Sequence, residues 1–149
     1  MNDGSQRDAV EVLLVEDDQG DVDMIAEGFG QSGSPVRLHV VGNGEQAMQF
    51  LHQAGSFADA PRPGLIVLDL SLPRRTGLEV LADLKADRDL LAIPVLTLTI
   101  SAAPLDIQRS YSLHANAYIV KPADVDGFTD AIKQIASWFL GLIELPRSS

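Results

Sequence analysis

Leu65-Ile66-Val67-Leu68 is an unbroken apolar run that stops at an acid, Asp69. A strand without polar alternation is one covered on both faces, as in a parallel sheet lying between two layers of helix. The rest of the chain fits that demand. Val10 to Val15, Val36 to Val41, Ile93 to Ile100 and Ala117 to Val120 read as four further strands. Between them, apolar residues recur at helical spacing: Val22, Ile25, Ala26 and Phe29, then Ala47, Phe50, Leu51 and Ala54, then Val80, Leu81 and Leu84 in a helix from Gly77 to Ala86. Pro104 suits the first turn of a fourth helix, and the last carries Val125, Phe128, Ile132, Ile135 and Phe139. Asp21 and Asp124 are the expected caps of the first and last helices. Five strands alternating with five helices imply right-handed crossovers and a three-layer α/β sandwich.

The chain has 149 residues, 46% of them hydrophobic, which suits one compact domain and leaves no room for a second. We expect a polar N-terminal tail over 1–8, the domain over 9–145 with an extended apolar last helix, and a short tail over 146–149. The net charge of −10 and the lack of a basic run disfavour direct contact with nucleic acid or anionic membrane. Without cysteine there is no disulfide and no thiol chemistry. With neither a signal peptide nor a spanning segment, the expected location is cytoplasmic. His39, His52 and His114 lack metal-ligand spacing and are read as structural or surface residues.

Functional groups of an open α/β sheet collect beyond the carboxyl ends of its strands. Those positions hold Glu16-Asp17-Asp18, Asp69, Thr99 and Lys121. Converging carboxylates repel one another unless a hard divalent cation offsets them, and Mg2+ is the natural one. Asp17 and Asp69 can supply carboxylates to it, while Thr99 and Lys121 can meet the oxygens of a phosphoryl group.

These landmarks resemble the receiver domains of two-component response regulators. Val15-Glu16-Asp17, Asp69 with Pro73 and Gly77 behind it, Thr99, and Tyr118-Ile119-Val120-Lys121-Pro122 stand in that family's order and spacing. The likeness runs from about Val10 to Leu145. It is greatest to the small, single-domain phytochrome-associated receivers, through Leu70-Ser71-Leu72-Pro73-Arg74 and Leu113-His114-Ala115-Asn116-Ala117-Tyr118.

The resemblance implies a flavodoxin-like (βα)5 fold, strand order 2-1-3-4-5. It implies that Asp69 accepts a phosphoryl group from a histidine kinase phosphohistidine. Asp17, Asp69 and the Ser71 backbone carbonyl would hold Mg2+, with Glu16 acting through water. Lys121 would pair with the phosphate, Thr99 would swing to it, and Tyr118 would change rotamer in response. A cis Lys121–Pro122 bond is also implied. Such a chain is a phosphoacceptor rather than an enzyme, limited to its own phosphorylation and dephosphorylation, and signals by phosphorylation-dependent protein contacts. Its partners would be a sensor histidine kinase, with a bacteriophytochrome as a candidate, and a downstream protein or phosphotransfer partner.

Two features depart from a generic receiver. Ile100 follows the switch threonine where many receivers carry a small residue, so its bulk could crowd the phosphoryl pocket; the alternative is an ordinary buried strand residue. Trp138, Leu142 and Leu145 form a second apolar stripe on the last helix, and we expect it to pack in a homodimer interface.

Three other functions compete. An aspartyl-phosphate-type phosphatase would place a second Asp two residues after the nucleophile, where this chain has Ser71. A pseudo-receiver scaffold would be expected to have lost Asp69, Asp17 or Lys121, and all are present. A nucleotide-binding module would carry a Gly- or Ser/Thr-rich phosphate loop, where this chain has Glu16-Asp17-Asp18-Gln19-Gly20.

Overall fold

A computed structural model describes residues 9–72, 76–99, 104–112, 115, 117–122 and 124–138 of the chain, without the side chains of 99, 104–106 and 110. Pro73, Ile100, Phe139, Leu142, Leu145 and both expected tails lie outside the described residues.

Strands β1 (Val10–Val15), β2 (Val36–Val41), β3 (Leu65–Asp69), β4 (Val95–Thr99) and β5 (Ala117–Val120) alternate with helices α1 (Gln19–Gln31), α2 (Gly44–Leu51), α3 (Gly77–Ala86), α4 (Pro104–Ser112) and α5 (Val125–Ala136). All strand pairs are parallel, and the order is β2-β1-β3-β4-β5. This is the flavodoxin-like order expected from the sequence.

The two-sided burial inferred from the Leu65–Leu68 run is borne out in β3, and β1 is likewise buried throughout. Leu13, Val15, Ile66 and Leu68 face a core shared with Phe50, Val80, Leu81 and Leu84 of α2 and α3. Val12, Leu14, Leu65 and Val67 face a second core, built with Ile25 and Phe29 of α1 and Phe128 and Ile132 of α5. Each such side chain is worth about 1.5–3 kcal/mol buried rather than exposed, so the central strands hold the two helical layers on either side.

Several expected details are corrected. Strand β4 begins at Val95 rather than Ile93, because Pro94 has no N–H to give a ladder. Ile93 is still fully buried. Asp18, not Asp21, caps α1, its carboxylate accepting the Asp21 N–H. On α1, Ala26 is exposed and Gly28 is buried. Close packing against α5 turns the Ile25–Gly28–Phe29 face inward: a β carbon on Gly28 would fall 2.6 Å from Ile132 Cβ. Ala54 lies beyond the end of α2 and is exposed. Val125, in the first turn of α5, is 62% exposed, while Phe128, Ile132 and Ile135 carry the core stripe. No peptide bond among the described residues is cis, Lys121–Pro122 included, in line with the trans preference of about 0.5–1 kcal/mol for such bonds.

No helix among the described residues is long and apolar enough to cross a membrane.

Candidate functional site

The strand order changes direction between β1 and β3, and in open sheets of this kind functional groups collect there, beyond the carboxyl ends of the strands. Asp69 closes β3, and Glu16 and Asp17 follow β1 immediately. Their register sets them side by side, because Val15 lies opposite Leu68. Oxygens of Glu16, Asp17 and Asp69 all fall within 4.8 Å of one another.

Backbone geometry orients the Asp69 carboxylate. The Ser71 N–H donates to Asp69 Oδ1 at 2.9 Å, a bond across two residues that fixes the carboxylate rotamer. Gly77 allows the start of α3 to close over this turn, and its own N–H donates to the Leu70 carbonyl. A Thr76–Glu79 capping box then stabilises α3 as it leaves the site.

Lys121 follows β5 and reaches back across the sheet edge. Its Nζ donates to Glu16 Oε1 at 2.8 Å and to Asp21 Oδ2 at 2.7 Å, and stands 3.5 Å from Asp69 Oδ2. The lysine side chain is only 6% exposed, so solvent screens these pairs weakly. Burial pulls the ammonium toward deprotonation, but hydrogen bonds to Asp21 and Glu16 and the charge of Asp69 outweigh it and hold the pKa above the usual lysine value. Glu16 is buried, and its other oxygen accepts the Asp18 N–H at 3.3 Å. Burial, reinforced by the neighbouring Asp69 carboxylate and opposed by Lys121, pushes Glu16 up to about 7.

Thr99 ends β4 opposite Val120, one residue beyond the Asp69–Leu98 pair, and so reaches the same sheet edge. Its side chain lies outside the described residues. Tyr118 is half-buried on β5, and its N–H donates to the Tyr111 hydroxyl of α4 at 3.1 Å. Trp138 lies just beyond α5 and is 56% exposed, away from the acidic cluster.

The structure therefore brings Glu16, Asp17, Asp69 and Lys121 together. Asp21, read from the sequence as a cap, joins them. The available clue was that a helix opening with Asp18 has no need of a second capping acid three residues later. Three carboxylates, Glu16, Asp21 and Asp69, face one ammonium, and Asp17 adds a fourth to the cluster, an excess of hard oxygen donors that fits a divalent cation. Glu16, Asp17 and Asp69 are the residues that would hold such an ion.

Comparison with known proteins agrees with this geometry. Residues 12–133 match the response regulator receiver domain. The chain is 39% identical to response regulator Rcp1 of Synechocystis sp. over 92% of its own length and 93% of that protein. It superposes on the phosphorylated cyanobacterial phytochrome response regulator RcpA with a TM-score of 0.89 at 40% identity, covering 93% of this chain and 99% of the other. The Mn2+-bound form of Rcp1 gives 0.88 at 39% identity, over 92% and 99% of the two chains. Fold, crevice chemistry and these likenesses converge: the chain belongs to the response regulator receiver family of two-component signalling, among relatives associated with phytochromes.

Proposed function

We propose that Asp69 is the phosphoacceptor of a phosphorelay, loaded from the phosphohistidine of a sensor histidine kinase and read out through protein contacts. The observation that carries this reading is the Lys121 ammonium 3.5 Å from Asp69 Oδ2, inside a ring of carboxylates. In the transfer, an Asp69 oxygen forms a bond to phosphorus as the phosphorus–nitrogen bond of the donor breaks. The imidazole nitrogen keeps the electron pair. A carboxylate is already nucleophilic and needs no general base, so what the chain supplies is position and charge balance. Ser71 N–H holds Asp69 Oδ1, which leaves Oδ2 on the lysine side as the attacking oxygen. Lys121 balances phosphoryl charge, and Thr99, which ends the neighbouring strand β4, is the proposed partner of a phosphoryl oxygen.

Mg2+ is the cation proposed, with Asp17, Asp69 and the Ser71 carbonyl as ligands and Glu16 acting through water. When bound it would offset the charge of the carboxylates and of the incoming phosphoryl oxygens. The protein is a phosphoacceptor rather than a catalyst acting on other substrates. The phytochrome association of its relatives supports a bacteriophytochrome as the kinase. Trp138, exposed just beyond α5, supports a homodimer face there, and Leu142 and Leu145 belong to the same stripe by their spacing in the sequence.

The test is incubation with acetyl phosphate and Mg2+, followed by intact mass. One phosphoryl adduct on the wild type, absent in Asp69→Asn and abolished by chelator, is expected. An unmodified wild type, or equal modification of Asp69→Asn, overturns the assignment.

A further inference from the structure

We propose that Asp21 is a positioning residue for Lys121, holding the ammonium so that it is presented to the phosphoryl site. The inference rests on the phosphoacceptor reading and adds to it the device that aims the lysine.

The ammonium has three N–H donors. Two are committed, to Asp21 at 2.7 Å and to Glu16 at 2.8 Å, while Asp69 Oδ2 stands farther off at 3.5 Å. Anchored at those two points, the group keeps its third N–H for the oxygens that arrive on Asp69. Asp21 is itself held from behind. Its N–H is capped by the Asp18 carboxylate, and it occupies the first turn of α1, where the helix dipole favours a negative charge. The Asp21 carboxylate has no capping duty and spans 100 residues of sequence to reach Lys121.

A lysine has many rotamers, and fixing one costs conformational entropy. This lysine also has somewhere else to go. A cavity of about 410 Å3 is lined by residues including Asp21, Met24, Lys121, Pro122 and Phe128, and Asp69 is not among its walls. With Asp21 gone, Glu16 would keep the one short hydrogen bond to the head group and Asp69 only its longer ion pair, and the chain could swing into that space. A solvated surface pair would have no such effect, but the Lys121 side chain is 6% exposed and that of Asp21 20%.

The experiment is a double-mutant cycle on the rate of Asp69 phosphorylation by acetyl phosphate at saturating Mg2+, using the full chain and intact mass. Asp21→Asn is expected to slow loading about tenfold, a part of the roughly hundredfold that a 1 Å misplacement can cost. Asp21→Glu, which keeps the carboxylate, should recover most of the rate. In a Lys121→Ala background, where loading is followed over hours, Asp21→Asn should change the rate less than about twofold, because the partner is gone. An Asp21→Asn protein that loads as fast as wild type or faster overturns the proposal. So does an equal slowing in both backgrounds, which would mark a general effect on the fold. If Asp21→Asn fails to fold by circular dichroism, the comparison of Asp21→Glu with Asp21→Ser takes its place, and equal rates overturn the proposal. A wild type that accepts no phosphoryl group sinks the phosphoacceptor reading as well, whereas a loaded wild type with an indifferent Asp21 sinks this inference alone.

Discussion

Gly77 lies so close to Asp69 that a β carbon on it would fall 2.5 Å from the Asp69 carbonyl oxygen, and equally near Leu70 Cα. Both obstacles are backbone atoms, so no rotamer change can relieve them. The absence of a side chain at the start of α3 is therefore what lets β3 end where it does. Gly77→Ala is expected to cost about 1–3 kcal/mol by overpacking, measured by urea unfolding, and to slow phosphoryl loading as the Asp69–Leu70 turn shifts. An unchanged midpoint and rate would contradict this.

The same reasoning applies at the α1–α5 contact. A β carbon on Gly28 would meet Ile132 Cβ and Cγ2 at 2.6 Å and the Thr129 carbonyl at 2.9 Å. Gly28→Val should destabilise the fold by about 1–3 kcal/mol, and Ile132→Ala in the same chain should return part of the loss by making room. Purely additive losses in the double variant would argue against direct contact.

Divalent ions should stabilise the fold, because they bind carboxylates that repel one another only once the strands are paired. Mg2+ at about a hundred times its dissociation constant is expected to add about 2.7 kcal/mol to unfolding free energy. Asp17→Asn should abolish most of that gain, as read by thermal denaturation with and without chelator. A Mg2+ effect of the same size in Asp17→Asn would remove that residue from the ligand set.

Acid sensitivity has a separate source at the other end of the sheet. Glu11 is buried on β1 beside His39 and Arg37 of β2. Burial alone would raise its pKa, but hydrogen bonds and charge from His39 and Arg37 prevail and lower it below 4.5. A carboxylate depressed in the folded state stabilises above its unfolded pKa, and that contribution fades as pH falls through the folded value. Urea unfolding of wild type and Glu11→Gln should thus differ most above about pH 5 and converge toward pH 3. A gap that widens on acidification would reverse the sign and refute the linkage.

Local readings succeeded where local chemistry decides. Val12–Val15 and Leu65–Leu68 are apolar runs too short for a helix and rich in β-branched residues, which makes them strands, and the acids beyond them mark the sheet edge. Pro94 was visible too, yet the strand was expected to start at Ile93, since the burial of Ile93 imitates strand membership. The side chains of α1 misled for a different reason. Helical spacing defines a stripe only to within a residue, and the partner helix chose Gly28 over Ala26.

The chain by itself determined the alternation of strands and helices, the places of Asp17, Asp69 and Lys121 at strand ends, and so the family it resembles. These depend on apolar periodicity and on spacing along one segment at a time. Tertiary structure alone decided which acids the lysine meets. Asp21 and Lys121 are 100 residues apart, and nothing in either segment names the other. Only the packing of α1 against α5, beside the strand ends, brings that carboxylate to the ammonium.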